Sequence, residues 1–339
     1  MARQTLISLG LGSRLRRPDK AVLAAGAHPL TRRFMRRMGM MLATMAAVSM
    51  LIFLLLELNG QNVAVKVLGP FSTEEQRAIW LAENGYDDPL PVRYLRWMSD
   101  AVQGDFGMSQ HFQRPVSDLL WPRLANTALL GTIVLTMVSV VGLGLGILAG
   151  VNAGRPLDRL ISLFSIVTTS VPEFASAVIL VSVFVFALGW LPGTSGMAAG
   201  FDPVQLILPA LVLTLYDFGY IARLTRVSMA QQMRSQYIRT ARLKGLPPRT
   251  IVMRHALRNA LIAPYTVLVL QVNWLLSGVI VVEFFFAYKG FGALLLTASL
   301  QQDIYLIEAC ALVAVFAAVL SQLVSDLGYV ILNPRLRDG

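Results

Sequence analysis

Six carboxylates lie in or beside the apolar runs of this chain: Glu57, Glu173, Asp217, Glu283, Glu308 and Asp326. An acid inside a bilayer is costly, and such groups often line a solute pathway or relay protons. The plainer role is a helix end that water can reach, and Glu57, Glu308 and Asp326 are assigned that role. Glu173 follows Pro172 in an interrupted run and either lines a cavity or marks the break. Asp217 precedes Arg223 and Arg226 by less than three helical turns. It either faces a pathway or forms an ion pair with one of them. Glu283 joins Glu173 and Asp217 as a possible pathway group.

Other chemistry is thinly supplied. The single cysteine, Cys310, falls in an apolar run and permits no intrachain disulfide. His28, His111 and His255 are scattered, with no metal-ligand spacing, so no metal is expected. Lys20, Lys66, Lys244 and Lys289 are the only lysines, and none ends a glycine-rich phosphate loop. Serine-elbow and zinc-protease motifs are absent as well. Catalysis and a bound cofactor are therefore not expected, and uphill transport would draw on an ion gradient or another subunit.

The elements that must position these groups follow from composition. Of 339 residues, 55% are hydrophobic and only 14% are charged, with mean hydropathy +0.62. A soluble domain carries about a quarter charged residues. Six apolar runs read as spans: 38–58, 126–150, 160–188, 204–222, 260–282 and 309–331. The first is too long for a signal-peptide core, and no small-residue cleavage site follows it. An all-α integral membrane protein with six transmembrane helices is predicted.

The net charge of +10 first suggests nucleic acid, but its distribution is topological. Placing the N-terminus inside puts 22 of the 29 lysines and arginines in 1–37, 151–159, 223–259 and 332–339. That bias orients the chain with both termini cytoplasmic. The expected organisation is a basic arm (1–37), a first anchor (38–58), a polar external insert (59–125), a multi-span membrane domain (126–331) and a short tail (332–339). The insert reads as a cap over a pore mouth, a docking surface for an external partner, or both. Residues 1–30 carry Arg14, Arg16, Arg17 and Lys20. They lie on anionic lipid, lack fixed structure, or precede a true start nearer Met35, and they receive no function.

Gly142, Gly146, Gly150 and Gly154 recur every four residues, which in a bilayer gives a flat ridge for a neighbouring helix. The stretch also nominally matches a dinucleotide fingerprint at Gly144–Ala149. That signature needs a preceding strand, so packing is the favoured reading.

The strongest pattern is the basic stretch Tyr237–Pro264, inside a cytoplasmic loop at 227–260. Residues from Ser228 to Lys244 favour a helix, Gly245 suits its left-handed close, and Pro247 and Pro248 prevent continuation. A second helix restarts near Arg249. Arg239, Arg242, Lys244, Arg249, Arg254 and Arg258 surround the corner, which reads as either a docking projection or a surface helix on anionic lipid.

Here the chain closely resembles the permease subunits of binding-protein-dependent ABC importers of the dipeptide/oligopeptide/nickel class. Tyr237–Leu246, followed by Arg254–Leu261, is similar to that class's coupling motif. Arg239, Thr240 and Ala241 stand where the wider family begins Glu-Ala-Ala, and Gly245 is retained. Asp88–Tyr94 and Gly104–Gly107 match the external segment of the larger-insert permease of a pair. Val282-Glu283, Gly290-Phe291-Gly292 and Asn333–Arg337 match its C-terminal pattern. Lys289 replaces a common proline, and Glu173 replaces a common small polar residue.

The resemblance implies the type I importer architecture in a bacterial inner membrane. It also implies a second homologous permease, two ATPase subunits that bind the ATP, and an external solute-binding protein. Arg239, Thr240, Ala241, Gly245, Leu246, His255 and Leu257 would form the ATPase-coupling element. The solute would be a peptide or peptide-like molecule. Against this stand an ion-gradient-driven secondary transporter and a non-transporting membrane scaffold.

Overall fold

An apolar chain in lipid must satisfy its backbone groups within each segment, and helices do so. The computed structural model describes residues 29–57, 60–198, 200–277 and 279–332. The arm before residue 29 and the Asn333–Arg337 pattern lie outside the described residues, as do the side chains of Glu57 and Asp326. The chain divides into two units, Met1–Thr44 and Met45–Gly339. The described part of the first unit is the opening of helix α1 (Pro29–Glu57).

In the second unit, α2 (Gly60–Leu68), α3 (Glu74–Glu83) and α4 (Leu90–Gln103) form the polar insert. Thr73 and Gln76 make a reciprocal capping box that starts α3. An antiparallel hairpin, β1 (Met108–Ser109) and β2 (Arg114–Pro115), closes the insert. The body begins with α5 (Val116–Val151), α6 (Pro156–Ser170), α7 (Glu173–Val181) and α8 (Ile207–Met233). The basic loop carries α9 (Gln236–Leu243), the short turn α10 (Pro248–Thr250) and α11 (Leu257–Ala260). Then come α12 (Ile262–Ser277), α13 (Ile280–Phe285), α14 (Phe291–Gln301) and α15 (Ile304–Leu332).

Among the described residues four helices are long and apolar enough to cross a membrane. A fifth crossing is made if α6 and α7 with its π-type extension count as one span, bent by 101°. The break follows from Pro172: Val171 before it is extended, as residues preceding proline are. The expected span at 260–282 is interrupted. Its helix α12 has 16 residues, about 24 Å at 1.5 Å per residue, against a hydrocarbon core of about 30 Å. The opposite holds at α5, which starts at Val116, well before its apolar run.

Three apolar clusters hold the unit together. The largest joins α5, α7, α8, α12 and α13 through residues such as Val134, Ala177, Leu213, Leu268 and Val282. A second packs the start of α5 against α14 and α15 through Leu120, Leu294 and Leu306. A third lies under the basic loop.

The glycine spacing does what its pattern implies. A methyl group at Gly142 would lie 3.1 Å from Ile221, one at Gly146 2.5 Å from Thr225, and one at Gly150 2.5 Å from Met229. Both helices present every fourth residue, so their backbones touch along a shared ridge. Gly154 is a correction to the expected ridge. It lies past the end of α5, has φ +87°, and meets nothing within 4 Å. Gly144 sits deep inside α5, so no strand leads directly into these glycines as the dinucleotide fingerprint requires.

Substituting Val at Gly146 would drive its side chain into Thr225 and the Ala222 carbonyl. The expected cost is about 1–3 kcal/mol of stability. Unfolding of the solubilised protein measures it, and an unchanged midpoint would show that the two helices part freely.

Candidate functional site

The basic loop is built as a small folded unit. Helix α8 stops at Met233, and Arg234 and Ser235 separate it from α9, so the continuous helix expected from Ser228 to Lys244 is in fact split. Gly245 then takes φ +73°, and its N–H bonds the Arg242 carbonyl while the Leu246 N–H reaches Ala241. This is the left-handed helix close that the sequence predicts. A wide π-type turn over Ile251–Ala256 leads into α11.

Beneath the corner, Ile238, Ala241, Ile251, Ala256 and Ala260 form a dry core with Met229 of α8. The Tyr237 hydroxyl contacts Gln232 at 2.6 Å and accepts from Asn259 at 3.3 Å, tying the two arms of the loop. Of the residues singled out by the coupling motif, Arg239, Thr240 and Gly245 are exposed, Leu246, His255 and Leu257 are half-buried, and Ala241 is buried. Ala241 therefore shapes the loop from within. Sequence reasoning missed Leu243 and Met253, which are 82% and 59% exposed. Bulky apolar groups standing free among arginines were the available signal.

The acids fall into separate environments. Asp217 is buried in α8 and accepts from Gln271 of α12 at 2.7 Å. The adjacent Tyr216 stacks on Trp274 across the same helix pair. Of the two alternatives for Asp217, the ion pair with Arg223 or Arg226 does not form. Arg223 donates to the Gly219 carbonyl, and Arg226 makes a two-pronged bridge to Asp158, both contacts at 2.8 Å. Asp158 is buried at the start of α6 and also accepts from the Gly154 N–H at 2.8 Å. The sequence analysis passed over Asp158. Its signal is an acid in the first turn of a helix that opens at Pro156, where the macrodipole favours negative charge.

Glu173 opens α7 at the bend of the broken span and is half-buried. Glu308, expected at a wet helix end, is buried in the second turn of α15. It borders a cavity of about 150 Å³ with Phe53, Tyr86, Arg93, Trp97 and Tyr305.

Glu283 lies in α13, outside the apolar spans, with no exposed surface. Its carboxylate accepts from the Thr127 hydroxyl at 2.5 Å and from the Ala293 N–H at 2.9 Å. Burial pushes this carboxyl up, while those hydrogen bonds, one from Gly292, and the charge of Arg123 pull it down. Burial and the neighbouring Glu283 push the Tyr288 phenol up to about 12.

Comparison with known proteins decides what this arrangement belongs to. Residues 142–338 match the family described as "Binding-protein-dependent transport system inner membrane component". The chain belongs to that family. This ABC permease subunit is 35% identical over 307 residues to a probable peptide ABC transporter permease protein, y4tP, of Sinorhizobium fredii. That match covers 89% of this chain and 98% of the relative. It is 35% identical over 298 residues to the glutathione transport system permease protein GsiC of Escherichia coli, covering 88% and 96%. It is also 31% identical over 309 residues to the oligopeptide transport system permease protein AppB of Bacillus subtilis, covering 89% and 98%. The family is the inner-membrane component of binding-protein-dependent transport, so this permease is a transport subunit that works with ATPase and solute-binding partners.

The Asp158–Arg226 bridge gives a test of how the basic end is held. Arg226 keeps 35% of its side-chain exposure, so the pair is worth less than a fully buried one. A double-mutant cycle with Asp158→Ala and Arg226→Ala, read by unfolding, should return a coupling of roughly 1–2 kcal/mol. Additive losses would mean that the bridge contributes nothing.

Proposed function

We propose that this permease imports peptides or peptide-like solutes as one of two homologous membrane subunits. In this reading two ATPase subunits dock on the basic loop and bind the ATP, and a solute-binding protein delivers cargo to the insert face. The observation that carries it is the basic loop itself: a rigid corner at Gly245, filled by Ile238 and Ala241, that presents Arg239, Thr240, Leu243 and Lys244 outward. Such a projection suits rigid-body transmission between subunits. The peptide reading is supported by the relatives named for peptide, oligopeptide and glutathione transport.

The charge distribution supports an orientation with both termini and the basic loop cytoplasmic, in a bacterial inner membrane. Glu173 and Asp217 are the pathway candidates this reading favours. Glu173 sits at the break in a span, and interrupted helices commonly build transporter binding sites. The insert is assigned to the binding protein's side, as cap and docking face together.

Two substitutions test this. Gly245 has open space around it, so Gly245→Val is opposed by its positive φ alone, at about 1–2 kcal/mol. Insertion should persist while uptake and ATP hydrolysis uncouple, and Gly245→Asn, which tolerates the left-handed region, should stay near wild type. Full coupling in the valine variant would remove the corner from the mechanism. For the pathway, Asp217→Asn should lower peptide uptake roughly five- to thirtyfold, equivalent to about 1–2 kcal/mol, with assembly intact. Unchanged uptake would take Asp217 off the path.

A further inference from the structure

The corner between α13 and α14 is knotted to the start of α5 by side chains that the transport reading does not use. Helix α14 opens at Gly290, which has no side chain to cap it. Its first backbone donors need partners, as at any helix start. The Phe291 N–H donates to the Thr127 hydroxyl oxygen at 2.7 Å, and the Ala293 N–H donates to Glu283. The Thr127 hydroxyl in turn donates to the other Glu283 oxygen. One threonine of α5 and one glutamate of α13 thus cap α14 from outside.

The surrounding backbone is shaped to let the carboxylate in. A methyl group at Gly290 would fall 2.1 Å from the Glu283 carboxyl, and one at Gly292 would lie 3.1 Å from its Oε2. The Tyr288 N–H bonds the Glu283 carbonyl at 2.8 Å, closing the reversal. Two more bonds run to α5: the Tyr288 hydroxyl donates to the Asn126 carbonyl at 2.7 Å, and the Asn126 amide donates to the Lys289 carbonyl at 2.8 Å.

This knot completes a mechanical circuit. Helix α12 leaves the basic loop and is followed by α13, which ends at the corner. The knot fastens that corner to α5, the glycine ridge fastens α5 to α8, and α8 returns to the basic loop. Apolar contacts alone allow helices to slide past one another, whereas directional hydrogen bonds in a dry site hold one arrangement.

We propose that Glu283 is a positioning residue for transport: with Thr127 it locks the α13–α14 corner to α5, so that movement of the basic loop reaches the insert end as a rigid displacement. Glu283 acts here through hydrogen-bond acceptance at the α14 start. A glutamine can replace that function, since its carbonyl accepts from Ala293 and its amide donates to Thr127.

The test uses the full complex with partner permease, ATPases and binding protein. Nitroxides at Leu300 of α14 and Val140 of α5, both exposed, report the distance between these helices by pulsed electron resonance. In the wild type the distance distribution should stay narrow without nucleotide and after trapping with ATP and vanadate. Glu283→Ala and Thr127→Val should broaden it on trapping. They should also cut the stimulation of ATP hydrolysis by the binding protein roughly tenfold, within the usual range of coupling between distant sites, while basal hydrolysis persists. Glu283→Gln should restore both readouts. If Glu283→Ala is degraded, Thr127→Val carries the same expectation. A narrow distribution with full stimulation in Thr127→Val overturns the proposal. So does a Glu283→Gln variant that keeps the narrow distance but loses stimulation, because the charge itself would then be the working feature.

Discussion

The close approach of α5 and α8 is the contact on which the rest of this permease depends. Three glycines spaced by four residues remove every side chain from one stripe of α5, and Ile221, Thr225 and Met229 of α8 fill it. In lipid the apolar effect gives little preference for one helix neighbour over another, so backbone proximity and packing must supply it. Helix α8 serves as a hub in consequence. It meets α6 at Gly219, where a methyl group would fall 2.5 Å from the Ser165 carbonyl, and it meets α12 through Asp217 and Gln271. It then runs directly into the basic loop, so any displacement there is felt by the packed centre.

Polar groups in the body act as fasteners between helices. Asp158 with Arg226 binds α6 to α8 near the basic loop, and Asp217 with Gln271 binds α8 to α12. Glu283 with Thr127 binds α13 to α5 at the other end of the unit. A fourth fastener, Asp303, accepts from the Ser109 hydroxyl and the His111 N–H and so anchors the insert's hairpin at the start of α15. Each joins segments far apart in the chain. Burying a polar group without a partner costs free energy, so these pairs favour one arrangement of helices over its neighbours.

Much of this was legible in the sequence, and the parts that were not share a cause. The basic loop's corner, the glycine ridge and the break at Pro172 are local: each depends on backbone geometry set within a few residues. Gly154 was misread because a four-residue spacing says nothing about where the helix stops. The ion pair offered as one alternative for Asp217 does not form, because neighbours along one helix were the only partners sequence could offer and its donor, Gln271, lies on another helix. Asp158 lies 68 positions from Arg226 and is just a helix-start acid until the fold brings them together. Ala241 belongs to the coupling motif by resemblance, but only packing shows that it faces inward while Leu243 faces out.

By itself the sequence determined the membrane class, the helical content, the uneven distribution of charge and the corner at Gly245. Hydropathy, charge and glycine act through local physics that needs no partner. The tertiary structure decided which acids meet which donors, that the span expected at 260–282 is a short helix followed by α13 and a capped corner, and which loop residues stand exposed. Those outcomes rest on hydrogen bonds and close contacts between segments remote in the chain, and no local preference encodes such pairings.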